Sequence, residues 1–147
     1  MPMPENPKLA PLKPFVGHWS TVGRHPLMPD TVFHGETTFE WIENGALLLM
    51  RTSMKEPGIP AGVAIFGSDD ESDRLTMLYF DERGVSRNYK SRAERNVWKW
   101  WRDSAHFSQR FTMTLAADGR TMNGTGQYAK DDADWEQDLK LLFTRVD

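Results

Sequence analysis

Arg87 and Tyr89 stand two positions apart, so on an extended strand their side chains share one face. A guanidinium presents parallel N–H donors that fit a carboxylate. With a phenol beside it, the pair suits a small ligand with an acid or carbonyl head. Two amides are candidates for the same work. Gln109 alternates into line with Phe107, Phe111, Met113 and Leu115, and Gln137 with Trp135, Leu139, Leu141 and Phe143. Trp98 and Trp100 alternate with Lys99 and Trp101 and would supply apolar wall. The expected ligand-binding set is therefore Arg87, Tyr89, Trp98, Trp100, Gln109, Trp135 and Gln137. The plainer alternative turns Arg87 outward and makes Gln109 a satisfied core amide.

Other constellations lead to less. His34 and Glu36 share a strand face and, with His18 or His25, would make a mixed nitrogen and oxygen metal site. That face lies opposite Phe33, Thr37 and Phe39, which look inward, so it reads as solvated and no metal is expected. Arg83, Arg87, Lys90, Arg92, Arg95, Lys99 and Arg102 gather beside Tyr89, Trp98, Trp100 and Trp101, a mixture that can grip single-stranded nucleic acid. The formal net charge of -3 makes that footprint local, and no nucleic-acid partner is expected. The acidic segments Ser68–Asp73 and Asp131–Asp134 lack the glycine and closing glutamate of a calcium loop and read as hairpin ends. No nucleophile elbow, phosphate loop or zinc-protease motif is present. If the chain is an enzyme, His34, Tyr89 or His106 are the acid–base candidates. No catalytic set can be assigned from the residues.

These side chains must be positioned by a chain of 147 residues, the size of one domain. Hydrophobic content of 39% and charged content of 27% are ordinary for a globular protein. The absence of cysteine excludes disulfides, a thiol nucleophile and thiolate metal ligation, and fits a cytoplasmic location. The proline-rich start has no apolar run and reads as neither signal peptide nor anchor, and no membrane partner is expected.

Short stretches of strand character alternate with turn signals. Strands are expected near 17–24, 32–43, 45–55, 61–67, 73–82, 84–93, 96–102, 105–116, 120–130 and 134–146. Between them lie Glu43-Asn44-Gly45, Pro57-Gly58-Ile59-Pro60, Glu82-Arg83-Gly84 and Ala117-Asp118-Gly119. Most strands are apolar on one face only. With no amphipathic helix to cover that face, the sheet must close on itself or fold into a sandwich, and ten consecutive strands favour closure. The expected fold is all-β, a single closed antiparallel up-and-down barrel of about ten strands with a short N-terminal helical turn near Leu12–Gly17. Residues 1–13 are expected to form an irregular arm, because dense proline opposes regular hydrogen bonding, and residues 14–147 the barrel domain.

Three segments carry a family resemblance: Pro14-Phe15-Val16-Gly17-His18-Trp19 at the start, Glu43-Asn44-Gly45-Ala46-Leu47-Leu48-Leu49, and the close from Trp135 to Arg145. Together they resemble lipocalin-like (calycin) β-barrels, in particular small bacterial domains of unknown function. The resemblance implies that a late arginine, here Arg145, packs across the first-strand Trp19 and closes one barrel end. The neighbouring nitrobindin-like haem proteins use a late histidine as ligand. Here the last histidine is His106 and the two closing strands have none, so no cofactor is expected. The functional expectation is a carrier or sensor that holds a small hydrophobic or amphipathic ligand in the barrel. The alternatives are an isomerase- or lyase-type enzyme using the same cavity, and a protein-interaction module built on Trp98–Trp101, whose two-fold contact would make a homodimer.

Overall fold

The computed structural model describes residues 6–131 and 133–146. Among these, ten antiparallel strands form one closed barrel. They are β1 (Gly17–Arg24), β2 (Phe33–Ile42), β3 (Leu47–Met54), β4 (Gly62–Ser68), β5 (Leu75–Asp81), β6 (Ser86–Glu94), β7 (Val97–Arg102), β8 (Phe107–Leu115), β9 (Thr121–Lys130) and β10 (Glu136–Val146). Each strand pairs with its sequence neighbours, and β1 closes the ring against β10, with Trp19 opposite Arg145. The expected all-β, up-and-down barrel is the observed one. No helix among the described residues is long and apolar enough to cross a membrane.

The barrel has two unlike ends. At the closed end a 3-10 helix, Pro7–Phe15, lies across the opening and buries Leu9, Leu12 and Phe15. The three sit three residues apart, and a helix of three residues per turn stacks them on one side. Full burial of each contributes roughly 1.5–3 kcal/mol relative to exposure. Phe15 meets Trp98 edge-on at 5.1 Å, and the Trp19 indole N–H donates to the Phe15 carbonyl at 3.0 Å. This helix corrects the expectation of an irregular arm over 1–13; residues 1–5 of that arm lie outside the described residues. Proline holds φ near −65°, a value the 3-10 helix shares, so Pro11 and Pro14 fit within it.

Arg145 fastens the helix to the barrel. Its guanidinium donates to the carbonyls of Val16 and Pro14, both at 2.8 Å, and to that of Gly119 at 3.0 Å. It also lies over the Trp19 ring, 4.2 Å from the centroid. Gly17, at φ +140°, makes room for it: a Cβ there would fall 2.6 Å from Arg145 Nη1.

The other end is rimmed by the β1–β2, β3–β4, β5–β6, β7–β8 and β9–β10 connections and stays open. Inward side chains follow the alternation read from sequence: Phe33, Thr37 and Phe39 on β2, Leu75 and Met77 on β5, Met113 and Leu115 on β8. The exception is β10. Its pairing with β9 shifts between Gln137 and Lys140, so one extra residue enters the ladder and the inward phase slips.

Candidate functional site

Inside the barrel, on the open side, lies a cavity of about 540 Å³, within the range of roughly 300–1,000 Å³ typical of small-molecule sites. Its wall is largely apolar. Met50, Met77 and Met113 line it with Trp100, Phe111 and Phe143, and Leu27, Met28 and Met54 stand at the mouth. Trp100 and Phe111 are stacked at 4.9 Å.

One polar cluster in that wall joins three of the expected residues. β6 directs Arg87 and Tyr89 inward, and β8, one strand away beyond β7, directs Gln109 toward them. Arg87 Nη1 donates to Gln109 Oε1 at 3.1 Å, and the Tyr89 hydroxyl donates to the same oxygen at 3.0 Å. Burial pushes the Tyr89 phenol upward from its ordinary value, and the adjacent Arg87 pulls partly against that shift. Of the expected set, the structure brings together Arg87, Tyr89, Gln109 and Trp100 at the cavity.

The other three lie elsewhere. Trp98 is fully buried below the cavity, packed among Phe15, Phe39 and Phe66, its indole N–H bound to Ser91 Oγ at 3.0 Å. It faces inward, as alternation demands, but at the level of the helical plug. Gln137 is turned out of the cavity by the β10 bulge and donates to the Gly126 and Asp138 carbonyls, both at 3.1 Å. Trp135 precedes β10, is 37% exposed, and carries the Arg110 guanidinium 3.9 Å from its ring centroid.

The same bulge turns Asp138 into the cavity wall, where His25 Nε2 meets Asp138 Oδ1 at 2.7 Å. The Leu27 amide donates to His25 Nδ1 at 3.1 Å, which assigns the ring proton to Nε2 and the bond direction to His25 donating. Sequence reasoning missed this pair as a cavity feature. His25 follows Trp19, Thr21 and Gly23 at even spacing, a signal that could have placed it inward. For Asp138 no such signal existed, since alternation without the bulge turns it outward.

A trio sits at the rim. The Tyr79 hydroxyl donates to Asp81 Oδ2 at 2.8 Å, and Arg83 Nη2 reaches the same oxygen at 2.7 Å. The Arg83 hydrogen bonds hold the Asp81 carboxyl well below the usual carboxylate range. Burial, aided by Asp81, drives the Tyr79 phenol far above its ordinary value.

The remaining histidines stand away from the cavity. His18 faces Glu36 at 3.4 Å, His34 faces Glu56 at 3.0 Å and His106 faces Asp131 at 3.0 Å. His34 and His106 are therefore not placed for acid–base work on a cavity ligand, a correction to their candidacy, because both lie on the solvent side of their strands or loops. Asp132 of the acidic segment 131–134 lies outside the described residues. Among the described residues no cluster of histidine, aspartate and glutamate is arranged to hold a metal ion.

Two of the solved structures to which the barrel is similar show the likeness. One is the crystal structure of Rv2717c from M. tuberculosis, with a TM-score of 0.70 and 12% identity, covering 97% of this chain and 99% of that one. The other is a protein of unknown function from the DUF3598 family of Nostoc punctiforme, with a TM-score of 0.60 and 10% identity. It matches 92% of this chain, which spans about half, 49%, of that longer protein. At such identities the likeness is one of fold alone. No family model and no curated protein matches the sequence.

Proposed function

We propose that the protein binds a small, mostly apolar or amphipathic ligand in its barrel, as a carrier or sensor. The observation that carries this reading is a donor cluster, Arg87–Gln109–Tyr89, set into a largely apolar cavity of about 540 Å³. Large apolar cavities with a few convergent polar groups are the usual form of a ligand site. Arg145 over Trp19 at the closed end fits the lipocalin-like reading of the barrel, in which one end is plugged and the other admits the ligand.

The interaction-module alternative loses its surface. Trp98 is wholly buried and Trp100 faces the cavity, so of that aromatic run only Trp101 is left for a partner. Native mass spectrometry of the protein purified from its own host tests the binding reading. A small molecule that stays with the folded protein and leaves on denaturation is the expected result. A bare protein mass, together with no binding of apolar probes in vitro, would overturn it.

A further inference from the structure

Gln109 has its orientation fixed by its neighbours. A guanidinium carries donors only, so the amide atom 3.1 Å from Arg87 Nη1 must be the oxygen. The Tyr89 hydroxyl converges on that same oxygen. Both neighbours converge on Oε1, and the amino group of Gln109, with two hydrogens to give, meets no partner among the described residues.

Arg87 is equally underused. Among the described residues it forms no ion pair; it touches Gln109 and the Tyr89 phenol and lies 5.8 Å from the centre of the Phe107 ring. The other cations near the mouth are engaged. Arg83 is bound to Asp81, Arg110 to Gln127 Oε1 and the Trp135 ring, and Arg102 to the Phe107 carbonyl. The carboxylate that lines the cavity, Asp138, is hydrogen-bonded to His25 and forms no ion pair with Arg87. The cluster thus offers spare N–H donors and a positive charge with no anion bonded to it. A half-buried cation in an apolar wall gains most from a partner that is both anionic and purely accepting.

Position gives the ligand its direction. Arg87 is the second residue of β6 and Gln109 the third of β8, and both strands begin at the open end. Trp100, Met113 and Phe143 line the wall below them. We infer that the ligand is a carboxylate amphiphile, bound head-up, with its carboxylate on Arg87 and Gln109 near the mouth and its hydrocarbon tail directed toward the plugged end. This rests on the cavity being a ligand site, and the test separates the two ideas.

Calorimetric titration with decanoate, decanol and decylamine, at mildly alkaline pH, compares three heads on one tail. Decanoate is expected to bind about tenfold or more tighter than decanol, the scale of a charge-assisted hydrogen bond, and decylamine weakest. Arg87→Met should bring decanoate down to the level of decanol while leaving decanol unchanged. Gln109→Glu, which keeps the shape and places a carboxylate against Arg87, should abolish the preference independently. Equal binding of decanoate and decanol by the unaltered protein would overturn the carboxylate inference and leave the cavity reading standing. A decanoate preference that survives in both folded variants would also overturn it. Failure of all three probes to bind would overturn the cavity reading itself.

Discussion

At the barrel mouth Asp81 and Arg83 neutralise each other in a short local pair. Asp81 accepts from both Arg83 and Tyr79, and its native carboxyl titrates below the usual range. An unfolded aspartate titrates near ~3.9. Between the native and unfolded values the unfolded chain binds more protons, so stability rises with pH there and is fully present above the unfolded value. It is lost as pH falls through the native value. Asp81→Asn should remove this contribution, and urea midpoints followed through the acid range should then fall less steeply than in the parent. Parallel acid limbs would assign the effect to other carboxylates. At this scale much of the site is legible in the sequence, since Arg87, Tyr89, Gln109 and Trp100 follow from period-two alternation on unbulged strands. Gln137 and Asp138 do not, because a single inserted residue exchanges which of them faces inward.

Among the elements, the 3-10 helix is the one whose role the sequence conceals. Proline-rich segments read as irregular, and the spacing of Leu9, Leu12 and Phe15 has meaning only at three residues per turn. Because Leu12 is fully buried, Leu12→Ala should lower unfolding free energy by about 2–5 kcal/mol. Denaturant melts would show it, and a loss under about 0.5 kcal/mol, the range of ordinary surface substitutions, would mean the plug is not part of the cooperative core. Gly17→Ala attacks the same junction from the strand side. The added methyl would collide with Arg145 Nη1, and the backbone at φ +140° is strained for any residue with a Cβ. It should destabilise the protein more than Gly84→Ala, where φ is +82° but nothing lies within 4 Å of the new methyl. Equal losses at the two glycines would leave only the shared backbone strain as the cause. The strands themselves were readable because their turns carry Gly, Asn and Asp at regular intervals.

For the whole molecule, closure is the decisive property. The ring is completed only when β1 meets β10 along seven residue pairs, from His18↔Val146 to Arg24↔Lys140. That pairing joins segments far apart in sequence, which favours slow, cooperative folding. Removing residues 136–147 would leave β1 and β9 each with a bare edge, and such edges pair between molecules. Size-exclusion chromatography should show the truncated chain as aggregates; a stable monomer would mean the remaining strands can close without β10. That the barrel closes was legible, because one-sided strands without a covering helix leave few other solutions. The resemblance already implied closure of the Trp19–Arg145 end; that a 3-10 helix lies across it was not legible. The methionines carry a last consequence for the assembled protein. Met50, Met77 and Met113 inside, with Met28 and Met54 at the rim, give the cavity unbranched thioether side chains that rotate about three bonds. A wall of that kind re-forms around different shapes at small expense, while Arg87 and Gln109 are locked by mutual bonds. On the proposed ligand-binding reading, discrimination would reside at the entrance and tolerance in the interior, so that compounds differing in bulk or branching should compete for one seat.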